Sequence, residues 1–171
     1  MLMIPTTGKP HNSKAKLIEL GWHTPETTYI KDHIEEMEQL PFDGLVMDLQ
    51  NNNGVTSTHG HWAWNVWSGT QLKPTDYSRS IAALMATQFA LFSDNFLRFN
   101  ISPVGPDWFD DTMDAVVAHA AMTAQLAYAS GCVGIFLDLE QYHRKVFHYC
   151  AQRYIDLYTF AQYQQRVRLY G

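Results

Sequence analysis

Short apolar runs alternate along the chain with longer segments whose apolar residues recur every three to four positions. This order, a run, a polar connection and then a helical stripe, is typical of strand–helix units in a parallel sheet. Runs with the length and composition of strands occupy residues 16–20, 42–49, 95–101 and 132–139. The pattern therefore predicts four strands.

Helical spacing follows each predicted strand. The first helix is predicted over 25–39, with Thr24 as its N-cap and Pro25 at its first position. The second begins near Pro74 or Thr75 and runs through the stripe over 81–92. A third is predicted over 108–130 with Gly131 as its C-cap, and a helical pattern starts again over 159–169. The residues of the third helix predicted to face the sheet are Met113, Val116, Val117, Ala120, Ala121, Ala124 and Ala127.

The predicted fold class is α/β, with parallel strand–helix repeats in one domain that spans residues 1–171. Right-handed crossovers in series curl a sheet toward a barrel, but four strands are too few to close one. We therefore expect a half (β/α)8 TIM barrel, a (β/α)4 unit truncated at its C-terminus. A pair of copies and a small open sheet like that of flavodoxin are the alternatives.

The composition of the chain limits the classes of partner and cofactor that we expect. The net charge of −5 disfavours nucleic acid and anionic membranes, and no apolar run approaches the roughly 18 residues of a membrane span. No glycine-rich phosphate loop occurs, so we expect no nucleotide cofactor. Cys132 and Cys150 are too few for a disulfide scaffold and lack metal-ligand spacing. The N-terminus shows no signal-peptide pattern, but a parent protein could carry one, so the compartment stays open.

Polar residues collect where the predicted strands end. Asp48 ends the second strand, Arg98 and Asn100 lie two apart in the third, and Asp138 and Glu140 lie two apart at the end of the fourth. Alternation places each pair on one face of its strand. Ionisable groups at buried positions cost several kcal/mol unless they are paired, and a catalytic or binding centre is one reason to keep them. The alternative is a structural ion pair between Arg98 and Asp138, with Glu140 in solvent.

The segment 134–142, Gly-Ile-Phe-Leu-Asp-Leu-Glu-Gln-Tyr, resembles the fourth strand of glycoside hydrolase barrels, where an acidic residue protonates the leaving sugar. The chitinase-like clan has a similar Asp-x-Glu ending, although this chain lacks its fuller acidic repeat. Segments 17–22 and 41–48 also look like uncharacterised bacterial glycoside-hydrolase-like barrel proteins. The resemblance implies that Glu140 is the general acid and that Asp138 supplies a neighbouring charge or orients the substrate. It implies further that Asp48, Arg98 and Asn100 line a sugar site.

The same resemblance limits the expected activity. A glycosidase needs a second carboxyl group, about 5 Å away in retaining enzymes and about 6.5 to 9.5 Å away in inverting ones. In many such barrels that group comes from a later strand, which this chain does not contain. We therefore expect a weak or inactive hydrolase, unless the amide of the sugar itself replaces the second carboxylate.

An aromatic loop after the second strand bears on the substrate. Trp62, Trp64 and Trp67, with Tyr77 and Trp108, are predicted to offer flat faces to sugar rings. Tyr142, after the fourth strand, is a further predicted substrate-binding residue. The alternative is that the loop forms a small core of its own, since aromatic side chains bury large areas.

Two rival functions stay open. His59 and His61 could be metal ligands of a metal-dependent barrel hydrolase, although we favour no metal site and assign no role to His119, predicted on a helix surface. A non-catalytic carbohydrate-binding or self-associating module is the rival from another class. Open sheet edges associate unless they are covered, so we expect self-association or a missing C-terminal half as the partner.

Overall fold

The computed structural model describes residues 15–21, 24–53, 60–101, 105–140 and 145–170. These residues form four strands and five α-helices, with 3-10 turns at Pro74–Tyr77 and Tyr149–Ala151. In chain order the elements are β1 (Ile18–Glu19), α1 (Thr27–Met37), β2 (Gly44–Met47), α2 (Trp62–Asn65), α3 (Ser78–Ala86), β3 (Phe96–Asn100), α4 (Met113–Ala129), β4 (Gly134–Asp138) and α5 (Phe160–Tyr170).

The four strands form one parallel sheet in the order β1-β2-β3-β4. The predicted α/β class and its parallel sheet are therefore confirmed. The strand order follows the chain order and has no reversal, unlike the order of the flavodoxin alternative. Met47 lies opposite Leu97, and Asn100 lies opposite Asp138. Opposite residues of parallel strands point to the same side, so the register fixes which side chains meet.

Each face of the sheet has its own chemistry. The outer face carries the apolar residues Leu45, Met47, Leu97 and Phe99, all buried in the core. Among the helices, α1 packs against α3, and α4 contacts β3 and β4. The inner face begins with Val46 and Phe96 and becomes polar toward the carboxyl ends of the strands, where Asp48, Arg98, Asn100 and Asp138 lie.

Several predicted helix boundaries are wrong by a few residues, for local reasons. The N-cap of α1 is Glu26 and not Thr24, because Pro25 and Glu26 continue the sheet beside Asp48. Helix α3 ends at Ala86 because Thr87 is extended, so Phe92 enters the core from a loop. The C-cap prediction at the end of α4 is supported by Gly131, whose φ of 78° favours glycine.

The buried face of α4 differs from the predicted one. His119 and Thr123 are buried, so the prediction of a surface His119 is wrong. Val117, Ala121 and Ala124 were predicted to face the sheet and are exposed. The His119 imidazole forms hydrogen bonds with backbone groups of the segment after α2. Its Nε2 accepts a hydrogen bond from the Leu72 N–H at 3.0 Å. A backbone N–H can only donate, so Nδ1 carries the proton and donates to the Val66 carbonyl oxygen at 2.8 Å. A polar link between helix and loop explains why this face is not uniformly apolar.

Helix α5 packs on the turn that follows β3. Its first turn is a capping box, in which the Thr159 N–H donates to Gln162 Oε1 at 2.8 Å. The Tyr163 hydroxyl donates to the Val146 carbonyl at 2.9 Å, and Arg166 Nε donates to the Trp108 carbonyl at 2.7 Å. These bonds hold the C-terminal segment against the rest of the chain. Across the described residues, no helix combines the length and the apolar character that a membrane crossing requires.

Burial lowers the pKa of His119 below its ordinary value of 6.5. As the pH falls through about 6.5, the unfolded chain takes up a proton that the folded chain does not, so the contribution of His119 to stability is full above this pH and decreases below it. We expect His119→Gln to unfold more easily at about pH 7.5, by about 1–3 kcal/mol, because a buried hydrogen bond is lost. Its stability should then fall less than the wild type's toward about pH 5.5. Urea titrations at both pH values test this, with His33→Gln on α1 as the control, and equal pH slopes in all three proteins would contradict it.

Candidate functional site

Polar side chains predicted at the ends of two neighbouring strands, β3 and β4, meet at the carboxyl end of the sheet. Arg98 and Asn100 reach this end from β3, and Asp138 and Glu140 reach it from β4. The parallel register places Asn100 beside Asp138. The structure therefore brings these four predicted site residues together.

The guanidinium of Arg98 is the centre of the cluster. Its Nε donates to Asp138 Oδ2 at 2.9 Å, and its Nη2 forms an ion pair with the same oxygen. Nη2 also lies 3.3 Å from Glu140 Oε2, and Nη1 donates to Thr24 Oγ1 at 2.9 Å. The Arg98 side chain is only 5% exposed, so the two carboxylates supply the charge compensation that its burial requires.

Glu140 is the most accessible carboxylate of this cluster. Its side chain is 21% exposed, compared with 17% for Asp138, and its Oε2 accepts from Asn100 Nδ2 at 3.3 Å. The alternative predicted an Arg98–Asp138 ion pair, which is present, but it placed Glu140 in solvent, which the structure does not. Asn100 is fully buried, and its Oδ1 has no hydrogen-bond partner among the described residues.

Asp48 differs from its predicted role as a residue lining the sugar site. Its side chain is buried, and Oδ1 accepts from the backbone N–H groups of Leu49 and Ala63 at 2.8 and 2.9 Å. Its Oδ2 lies 3.3 Å from His61 Nδ1. Because these groups hold both oxygens, Asp48 fixes the chain entering α2 and is not open to a substrate.

His61 lies between two carboxylates. Its Nδ1 faces Asp48, and its Nε2 lies 3.8 Å from Glu26 Oε1. The two ring nitrogens point in different directions, so one metal ion cannot bind the imidazole and both carboxylates in this arrangement. Over the five described ranges, no group of three or more histidine, cysteine or acidic residues is placed to hold a metal. His59, the other residue of the metal hypothesis, lies outside the described residues.

Most of the predicted aromatic platform is core. Trp62 is buried and donates from Nε1 to Thr123 Oγ1 at 2.9 Å, and Trp67 is buried and donates to the Pro106 carbonyl at 3.1 Å. Tyr77 and Trp108 are buried as well. The prediction of these four residues as sugar platforms is therefore wrong, and the alternative of an aromatic core describes them. Trp64 is half-buried, with the Arg98 guanidinium carbon 5.5 Å from its ring centroid. Tyr142 lies outside the described residues.

Two residues near the site were not among the predicted ones. Thr24 accepts a hydrogen bond from Arg98, and Glu26 contacts His61. Both follow β1, and Glu26 pairs with Asp48 across the sheet. The only sequence signal for these two residues was their position after the first strand. That position was interpreted as the start of the first helix, with Thr24 as its N-cap. With Glu26 included, the strand ends hold four carboxylates, two beside Arg98 and two beside His61, and only one guanidinium, so with a neutral His61 their formal charge is negative.

No family model matches this chain, and no curated protein or solved structure shows significant similarity to it. Its function is therefore inferred from the side chains at the strand ends.

We expect removal of Arg98 to leave two partly buried carboxylates without compensation. Arg98→Met should lower the free energy of unfolding by about 3–5 kcal/mol, because it breaks a buried pair. Asp138→Asn should also destabilise, and the double variant should lose less than the sum of both, by about 0.5–3 kcal/mol.

Chemical denaturation of the three variants and the wild type provides this double-mutant cycle. The matched control is Arg153→Met, which breaks an ion pair with Asp110 whose arginine side chain is 46% exposed. That substitution should cost about 0–1 kcal/mol. Additive effects of the Arg98 and Asp138 substitutions would show that the two side chains are not coupled.

Proposed function

We propose that this chain is one half of a glycoside-hydrolase-like (β/α)8 barrel and binds a carbohydrate at the carboxyl ends of its strands. Support for the architecture comes from the sequential order of the parallel strands and from the alternation of strands with helices along the chain. Parallel α/β folds carry their binding groups at the carboxyl ends of the strands, which is where the polar cluster lies.

The observation that carries the proposal is the guanidinium of Arg98, which holds Asp138 and Glu140 beside Asn100. Sugar hydroxyls both donate and accept hydrogen bonds, so they need carboxylate acceptors and guanidinium or amide donors at fixed positions. The ion pairs fix these groups before a ligand arrives, which reduces the entropy lost on binding. The half-buried indole of Trp64, next to Arg98, adds an apolar surface at the same place.

Glu140 is the proposed general acid, because it is the more exposed of the two carboxylates on β4 and the segment after it. The second carboxyl group that glycoside hydrolysis needs is harder to find in this chain. Asp138 is engaged by Arg98, and Asp48 by backbone N–H groups. Hydrolysis would therefore use a carboxylate from a later strand of a complete barrel, so this chain alone is weak or inactive as a hydrolase.

A non-catalytic carbohydrate-binding module is the second proposed function. It is favoured by one observation, the pairing of Arg98 with both Asp138 and Glu140. This pairing engages the two carboxylates that proton transfer would require. In that case the cluster recognises hydroxyl groups and no bond is cleaved. Turnover separates the two proposals.

We expect the chain to bind at least one member of a panel of neutral oligosaccharides in ligand-observed NMR. Glu140→Gln should weaken that binding about tenfold or more, since a hydrogen bond to a charged group is worth about 1.5–3 kcal/mol. The matched control is Glu35→Gln, the same chemical change on the exposed surface of α1. No binding across the panel, or equal affinity of both variants, would contradict the proposed site.

We expect no turnover above background with 4-nitrophenyl glycosides, because Asp138 and Asp48, the other carboxylates at the described ends of β2 and β4, are held by Arg98 and by backbone N–H groups. Release of nitrophenol measures this directly. Turnover by the wild type that disappears in Glu140→Gln would show that the chain already holds a complete catalytic pair.

A further inference from the structure

The two edges of the sheet differ in how they are protected. The edge strand β1 has only two residues, and Glu19 in it shares a face with the core residue Leu45. Within the part of the chain that the structure describes, Glu19 Oε2 is buried without a hydrogen-bond partner, and burial raises the pKa of this carboxyl group. Short edge strands and inward-pointing charges are devices that prevent edge-to-edge pairing. The β1 edge is thus blocked.

The β4 edge is longer and less well protected. It has five residues, and within the described part of the chain β3 is its only partner. Every second residue here is apolar, and Val133, Leu137 and Leu139 are 56%, 55% and 53% exposed. The single charge in the strand, Asp138, points to the inner face and is compensated by Arg98 of the same chain. Two such edges would not repel each other.

The backbone of β4 also points its free groups outward at the apolar positions. The Asp138 carbonyl accepts from the Ile101 N–H at 2.7 Å, so the backbone of Asp138 faces β3. Since these groups alternate along a strand, Leu137 and Leu139 present theirs to the open edge. At Leu137 and Leu139 the exposed apolar side chains and the backbone groups that face the open edge therefore both favour the pairing of another strand with β4.

We propose that β4 pairs antiparallel with β4 of a second copy of this chain, in a two-fold dimer centred near Leu137. An antiparallel pair of identical strands is self-complementary, so a single edge suffices and the assembly closes at two copies. Pairing of β4 with the partner's β1 would use only two residues of that strand, compared with five in β4. The dimer extends the sheet to eight strands and directs the two strand-end sites in opposite directions. In a complete barrel the β4 edge would pair with a further strand, so this inference applies to the chain with that edge uncovered, and it does not depend on what the strand-end sites bind.

The test is the mass of the purified chain by sedimentation at about 100 μM, where a micromolar Kd gives mostly dimer. The wild type should have twice the mass of the chain, and Leu137→Lys, which places a charge at the centre of the pair, should have the mass of the monomer. Leu91→Lys is the matched control, the same substitution at an exposed loop leucine, and should remain dimeric. Circular dichroism establishes that each variant is folded.

Hydrogen exchange of the wild type provides a second measurement that needs no variant. The amide of Leu137 should exchange more slowly in concentrated than in dilute samples, because pairing protects it. A monomeric wild type, a dimeric Leu137→Lys, or concentration-independent exchange at Leu137 would overturn the proposal. A dimer broken by Leu20→Lys beside β1 but not by Leu137→Lys would show instead that β1 is the paired edge.

Discussion

The site and the sheet depend on one interaction, the ion pair of Arg98 with Asp138 at the ends of β3 and β4. A guanidinium with 5% exposure cannot be left uncompensated, since an unpaired buried charge costs several kcal/mol. The pair joins adjacent strands at their carboxyl ends, and the same guanidinium reaches Glu140 and Thr24. A stabilising contact of the sheet and the organisation of the site are therefore one structural feature.

A second polar group beside this pair has a different task. Asp48, His61 and Glu26 connect the end of β2 to α2 and to the segment after β1. Their hydrogen bonds position the chain from which Trp64 reaches Arg98, while Trp62 and Trp67 anchor that chain in the core. The site thus has a partly accessible pair of carboxylates, Asp138 and Glu140, and a structural group made of Asp48, His61 and Glu26.

Local patterns predicted the features that depend on chain periodicity. The four strands and their parallel arrangement followed from recurring apolar runs, and the meeting of Arg98, Asn100, Asp138 and Glu140 followed from alternation along parallel strands. What could not be predicted depends on contacts between distant segments. The four-residue helix α2 is too short to show a helical period. The buried His119 forms hydrogen bonds with backbone groups that are 47 and 53 residues away in the chain. Asp48 looked like a site residue because its sequence position does not show that backbone N–H groups occupy its oxygens.

The most direct test of the central claim is the state of the Arg98 guanidinium in solution, measured by NMR of the chain labelled with ¹⁵N in its arginine side chains. An arginine fixed by two carboxylates and the Thr24 hydroxyl should show separate, slowly exchanging Nη protons, and Asp138→Asn should make those signals merge. If every arginine in the wild type shows averaged, rapidly exchanging Nη protons, the guanidinium is not held at the strand ends, and both the site and its proposed function would have to be abandoned.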